Sequence, residues 1–246
     1  MEKAPVVALL SQSCFHVIVT LLGLSRLGYA VFFLSPRLAA PAINQLLQLS
    51  ECSTIVTQES FHSVLNEVLE KRALTVLPLL SRLDYFGVDA PVFRRSYETV
   101  IENKKIAFII HASGSTGLPK PIPLSHGSCI AVFATNLNMH SLLTSPLFHS
   151  QGFYETFRSI YSKKTIHICN YALPLTKQSV VSMIRHVKPD LLHCVPYVLK
   201  LVAESEEGVQ CLSQVKTVLY GGSSCPDALG DRLVKNGVYL VANYGA

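Results

Sequence analysis

The segment richest in chemistry runs from His111 to Lys120: His111, Ala112, Ser113, Gly114, Ser115, Thr116, Gly117, Leu118, Pro119, Lys120. Gly114 and Gly117 allow tight backbone turns and leave amide N–H groups free to face an anion. Ser113, Ser115 and Thr116 add hydroxyl donors, and Lys120 adds a positive charge. Together these residues make a cradle for a polyphosphate. The pattern is not GxxxxGK[ST], because only two residues separate the glycines and Lys120 is followed by Pro121. A GxGxxG dinucleotide fingerprint is also absent. Read alone, the same composition also fits a plain Ser/Gly hairpin.

Such a loop has to be held by a sheet. The run Lys105–His111 (KIAFIIH) reads as a buried strand leading into it, and α/β sheets gather ligands beyond the ends of such strands. Before it, the pattern predicts strands at Val6–Leu10, Ala30–Leu34, Thr54–Thr57 and Leu74–Leu77. Helices are predicted between them at Phe15–Leu27, Pro41–Leu49 and Phe61–Lys71, the first stopped by Gly28. Charges and Pro91 mark 78–103 as a surface connection.

Beyond the loop the expected order is helix Ser125–Leu137, strand Ser145–Phe148, helix Gly152–Ser162, strand Thr165–Cys169 and helix Thr176–Val187. Strand Leu191–Cys194, helix Tyr197–Glu204, strand Lys216–Tyr220, helix Pro226–Lys235 and strand Val238–Ala242 follow. Alternation of this kind implies an α/β fold of parallel-rich sheets with helices on both faces, and continuously apolar strands such as VVALL and AVFFL suit burial on both sides. The expected division is a first α/β part at 1–104 and a second part at 105–246.

Composition excludes several classes of function. The net charge of +5 comes from scattered basic residues, so no nucleic-acid partner is expected. The seven cysteines form no CxxC pair and most have apolar neighbours, which suits reduced thiols in a cytoplasmic protein. The nine histidines show no HExxH or HxxxH spacing, and no metal site is read from them. The apolar stretch Val6–Leu34 is interrupted by Gln12, His16, Gly23, Arg26 and Gly28, which argues against a membrane span. The start MEKAP does not read as a signal peptide.

SGSTGLPKP, preceded by an apolar strand and followed by LSH, resembles the signature of the adenylate-forming superfamily of acyl-CoA synthetases, luciferases and nonribosomal-peptide-synthetase adenylation domains. Further segments resemble that family in order: LSRLGYAVFFLSPRLAAP from Leu24, PLFHSQGF from Pro146, YGGSSCPDAL from Tyr220, and Asn243, Tyr244, Gly245 as the start of NxYGxTE. In general likeness the chain is most similar to adenylation domains of fungal nonribosomal-peptide-synthetase-like enzymes and carboxylate reductases. The resemblance implies ATP-dependent activation of a carboxylic acid as acyl-AMP, followed by transfer to a thiol on CoA or on a carrier protein's pantetheine arm.

By resemblance, Ser113, Gly114, Ser115, Thr116, Gly117 and Lys120 bind the β- and γ-phosphates of ATP. His149, Gly152 and Gly221 border the acyl group, and Gly222, Ser223, Asn243 and Tyr244 border adenine. Ala112 stands where many relatives carry Thr. Amino-acid-activating relatives usually carry an Asp near His149. FHSQG has none, so an aryl or other simple acid is expected, because a buried ammonium without a counter-charge is costly. His111 and His126 are expected to pack or hydrogen-bond rather than catalyse.

The Glu that helps bind Mg2+ in the family would fall beyond Ala246, as would the ribose-binding Asp and a C-terminal subdomain. The chain is therefore expected to be a partial adenylation domain with little turnover alone, accompanied in a longer protein by carrier and reductase domains. The alternative is a non-catalytic relative or interaction module that keeps the fold.

Overall fold

In a computed structural model the described residues are 4–112, 119–135 and 138–244. The chain divides into two compact units, Met1–Ala131 and Val132–Ala246. The division falls later than residue 104 because the strand entering the glycine-rich segment hydrogen-bonds into the first sheet.

The first unit runs β1 (Val6–Leu10), α1 (Phe15–Leu27), β2 (Ala30–Leu34), α2 (Ala40–Leu49), β3 (Thr54–Thr57), α3 (His62–Leu69), β4 (Thr75–Pro78), α4 (Arg82–Tyr85), α5 (Thr99–Glu102), β5 (Ile106–His111) and β6 (Pro121–Ser125), and α6 (His126–Phe133) crosses the division. Its sheet has the order β4-β3-β1-β2-β5-β6. The first five strands are parallel, and β6 returns antiparallel to β5. All five residues of β2 are buried, as a strand covered on both faces requires. Ala8, Leu10, Phe32, Leu34 and Ile109 pack with Ile43, Leu46 and Leu47 of α2 and Leu65 and Val68 of α3 into one core. Gly28 closes α1 at φ +94°, a left-handed cap open to glycine at little cost.

Strand β6 differs from the sequence expectation. Its prolines, Pro121 and Pro123, argue against an interior strand, but β6 lies at the sheet edge, where a missing N–H is tolerated. The segment 78–103 is largely an exposed connection, holding only the short helices α4 and α5.

The second unit runs β7 (Ser141–Leu143), α7 (Ser150–Tyr161), β8 (Ile166–Ile168), α8 (Lys177–Val187), β9 (Leu191–Cys194), α9 (Pro196–Val202), α10 (Glu206–Ser213), β10 (Thr217–Gly221), α11 (Asp227–Lys235) and β11 (Leu240–Asn243). All pairs in its sheet, ordered β11-β10-β9-β7-β8, are parallel. Val180, Val181 and Ile184 of α8 pack with Leu142, Leu192, Val198, Leu199, Leu212 and Val218 into its core.

Two expectations are corrected here. The strand expected at Ser145–Phe148 is instead β7 at Ser141–Leu143, because Pro146 cannot donate to a ladder and begins the turn into α7. Helix α10 was not anticipated. Ser205 caps it by accepting from the Gly208 amide at 3.2 Å, and a Cβ on Gly208 would lie 1.9 Å from the Val202 carbonyl. Close packing therefore requires glycine at this position.

Candidate active site

In the first unit, β5 and β6 bring together the two ends of the glycine-rich segment between Ala112 and Pro119. Ser113, Gly114, Ser115, Thr116 and Gly117 lie outside the described residues. The base beneath them is defined: the Ala112 amide donates to the Lys120 carbonyl at 3.0 Å, and His111 pairs with Pro121 in register. The side-chain amide of Gln45 on α2 reaches the Pro119 carbonyl at 3.5 Å. The Lys120 side chain is exposed.

His111 braces this base. The Ser35 amide, just past the end of β2, donates to His111 Nε2 at 3.1 Å. A backbone N–H can only donate, so Nε2 is the unprotonated nitrogen and Nδ1 carries the proton, which it gives to the Ala112 carbonyl at 3.0 Å. Burial lowers the His111 pKa, and the bond to Ala112 opposes this only in part. A neutral imidazole with both nitrogens engaged is a strut rather than a catalytic base. His126, likewise lowered chiefly by burial, sits 3.8 Å from Glu102, whose carboxylate also meets Arg95 and, at 3.3 Å, Lys105.

In the second unit the remaining candidates gather where the parallel strands end. Gly221 is paired with Asn243 in register, and a Cβ on Gly221 would approach the Asn243 carbonyl to 2.8 Å, so only glycine lets β10 and β11 run this close. Gly222 follows at φ +88°, with Val195 Cγ1 lying 3.7 Å from where its Cβ would stand. The end of β10 therefore lies beside the end of β9. Ser223 and Asn243 are exposed, and Tyr244 is 97% exposed, leaving its ring face free to stack on a flat partner.

His149 begins α7 as its N-cap, with no side-chain capping bond; its amide donates to the Pro146 carbonyl at 3.0 Å and the residue is exposed. A Cβ on Gly152 would sit 2.0 Å from that same carbonyl, so glycine is required for α7 to start against the Ser145–Pro146 turn. Gln151 ties this start to the strand ends: Ser145 Oγ donates to its Oε1 at 2.6 Å, and its Nε2 donates to the Cys194 carbonyl at 3.4 Å. His149, Gly152, Gly221, Gly222 and Asn243 thus belong to one row of strand ends and adjoining turns.

Sequence reading missed a buried polar group behind this row. Glu155 pairs with Arg158, its Oε2 lies 3.4 Å from His193 Nε2, and Arg158 Nε donates to the Val132 carbonyl at 3.2 Å. His193 is 1% exposed, and burial together with Arg158 drives its pKa well below the usual imidazole range. Burial pushes Glu155 the other way, upward, against the pull of Arg158. The available signal was a histidine inside the apolar strand LLHC, and polar residues at 151, 155 and 158, spaced to share one side of a helix.

Among the described residues, no group of three or more His, Cys, Asp or Glu is arranged to hold a metal ion, and no helix is long and apolar enough to cross a membrane. All seven cysteines are free, five of them buried.

The AMP-binding enzyme family matches residues 1–246. The chain belongs to that family. Among curated proteins it is 30% identical over 261 residues to the adenylate-forming reductase stbB of Stachybotrys bisbyi, an alignment covering 99% of this chain and 24% of that protein. It is 26% identical over 257 residues to a carboxylic acid reductase of Neurospora crassa, covering 96% of this chain and 24% of that protein. The family member therefore spans about a quarter of the length of these relatives. Among solved structures, the N-terminal domain of FACL13 from Mycobacterium tuberculosis superposes with a TM-score of 0.82 at 20% identity, covering all of this chain and 64% of that one. That likeness establishes the α/β fold.

Proposed function

We propose that residues 1–246 act as the nucleotide- and acid-binding part of an adenylation domain that converts a carboxylic acid and ATP to acyl-AMP and pyrophosphate. A carboxylate oxygen of the acid bonds to the α-phosphorus. The bond from that phosphorus to the bridging oxygen breaks, and its electron pair leaves with pyrophosphate. Lys120 and the hydroxyl and amide donors of Ser113–Gly117 hold the departing phosphates and offset the charge that builds on them. Gly221 holds β10 against β11 and borders the acyl group, Gly222 admits the ligand close to the backbone, Asn243 and Ser223 border adenine, and Tyr244 stacks on it. His149 and Gly152 border the acid. Acyl transfer to a CoA or pantetheine thiol follows in the longer protein.

The exposed donors at the strand ends fit a nucleotide. They offer no carboxylate for the Mg2+ that the reaction type implies, so no step is assigned to a metal. In the family, Mg2+ neutralises phosphate charge.

The observation that carries this reading is the row of strand ends formed by Gly221, Gly222 and Asn243, where Gly222 turns at φ +88° beside Val195 and Gly222, Ser223, Asn243 and Tyr244 are exposed. An aryl or other non-amino acid suits the site. Among residues 150–161 the single carboxylate is Glu155, and Arg158 already neutralises it, so an incoming ammonium would find no counter-charge there. Acid-dependent ATP–pyrophosphate exchange by the protein carrying this chain tests the proposal. Exchange is expected with benzoate-type acids and not with α-amino acids. Exchange restricted to α-amino acids overturns the substrate class, and absence of exchange with every acid points to a non-catalytic relative.

A further inference from the structure

Three polar side chains of α7 lie on one stripe of the helix, at 151, 155 and 158, and between them they reach the turn after β7, β9 and α6. Gln151 spans the Ser145 hydroxyl and the Cys194 carbonyl, Glu155 faces His193 on β9, and Arg158 holds the Val132 carbonyl in the last turn of α6. The opposite contacts are aromatic: Phe153 and Phe157 each lie 5.0 to 5.8 Å, centroid to centroid, from Phe133. Aromatic packing fixes how far α7 stands from its neighbours but permits sliding along its axis, whereas directed hydrogen bonds fix register.

The side chain of the N-cap, His149, makes no capping hydrogen bond to the first turn. Gln151 gives that turn two directed bonds. Its Nε2 must face the Cys194 carbonyl, which can only accept, and that leaves its Oε1 to accept from the Ser145 hydroxyl. Its amide orientation is therefore set, and both ends are engaged within the protein.

We infer that Gln151 is a positioning residue for the acid. By spanning the end of β9 and the turn after β7, it sets the distance between the His149 turn and the strand ends, and so the width available to the acyl group. Arg158 ties the same helix to the end of α6 two turns further on. This inference rests on the assignment of that row to the acid under the proposed function. It goes beyond that assignment by naming the side chain that determines which acids fit.

The test compares wild type with Gln151→Met, which keeps length and volume and removes both hydrogen bonds, in acid-dependent pyrophosphate exchange by the protein carrying this chain. Loss of two neutral hydrogen bonds predicts a KM for the acid raised about tenfold. The KM for ATP is expected to stay within about twofold, and the preference among acids of different width is expected to flatten. Gln151→Glu keeps the acceptor for Ser145 but turns the donor facing Cys194 into a second acceptor, so it should behave like Gln151→Met or worse. Ser145→Ala removes one tie of the two and should move the same parameter by a smaller factor, which keeps the test open if a Gln151 variant fails to fold.

A lowered Tm with the acid KM unchanged, or acid and ATP KM values rising together, overturns the positioning role and leaves the adenylation reading intact. Absence of exchange in the wild type with every acid overturns both.

Discussion

The two regions that carry candidate chemistry are built in opposite ways. In the first unit the phosphate-loop segment springs from a hairpin at a sheet edge, and its base is closed by backbone pairing, the His111 strut and one amide from α2. In the second unit the candidates sit at the ends of parallel strands and on the start of α7, packed so closely that Gly152 and Gly221 leave no room for a Cβ. Under the proposed function, the ATP phosphates would meet a segment whose base is closed by backbone pairing, and the acid would meet closely packed strand ends.

Substitutions at the buried ties and close-packed glycines of the second unit should cost more stability than substitutions at the hairpin base or at exposed strand-end residues. The largest stability effect is expected for Arg158→Met, which leaves Glu155 buried without its counter-charge and should cost about 3 kcal/mol in urea unfolding. Burial already raises the Glu155 pKa, and losing Arg158 raises it further. A carboxyl whose folded pKa is raised favours the fold when protonated. The deficit should therefore shrink as the pH falls from 8 toward 5; a deficit that grows on acidification contradicts the buried-pair account. Gly152→Ala comes next. The Pro146 carbonyl must move to admit the new methyl, at a cost of about 2 kcal/mol by the same measurement, and a neutral result shows that the α7 start is looser than its geometry implies.

His111→Ala removes two bonds from the hairpin base and should cost about 1 kcal/mol. In the wild type, the folded pKa values of His111 and His193 are both depressed below that of a free imidazole. Their contribution is complete above about pH 6.5 and is lost as pH falls below it, because the unfolded chain then takes up protons that the folded one refuses. Denaturation midpoints measured from pH 8 to 5 should fall on the acid side, and less steeply in His111→Gln. The smallest stability effect belongs to Tyr244→Ala, which should change stability by less than about 0.5 kcal/mol because the ring is exposed, while weakening nucleotide binding.

Much of this was legible in the residues. Continuous apolar runs marked β1, β2, β3 and β9, and Gly28 ended α1 where glycine caps do. The GGSS and FHSQG segments fall at a strand end and on the first turn of a helix. What escaped reading was set by tertiary surroundings. The prolines of β6 hide a strand that is possible only at an edge, and Gly208 hides a helix whose glycine is demanded by a neighbouring carbonyl. The Gln151, Glu155, Arg158 and His193 group could not be assembled from spacing alone, because His193 lies 38 positions from Glu155 and meets it only through the packing of α7 on β9.

The central claim, that the bend ending in Lys120 holds the phosphates of ATP, is tested most directly by calorimetric titration of ATP into the protein carrying this chain and into its Lys120→Ala variant. The account predicts that the variant loses about tenfold or more in ATP affinity, as removal of a charge-assisted phosphate contact should. Because Lys120 is exposed, its thermal stability should be unchanged. Equal ATP affinity in the two proteins, or no affinity in either, contradicts the account.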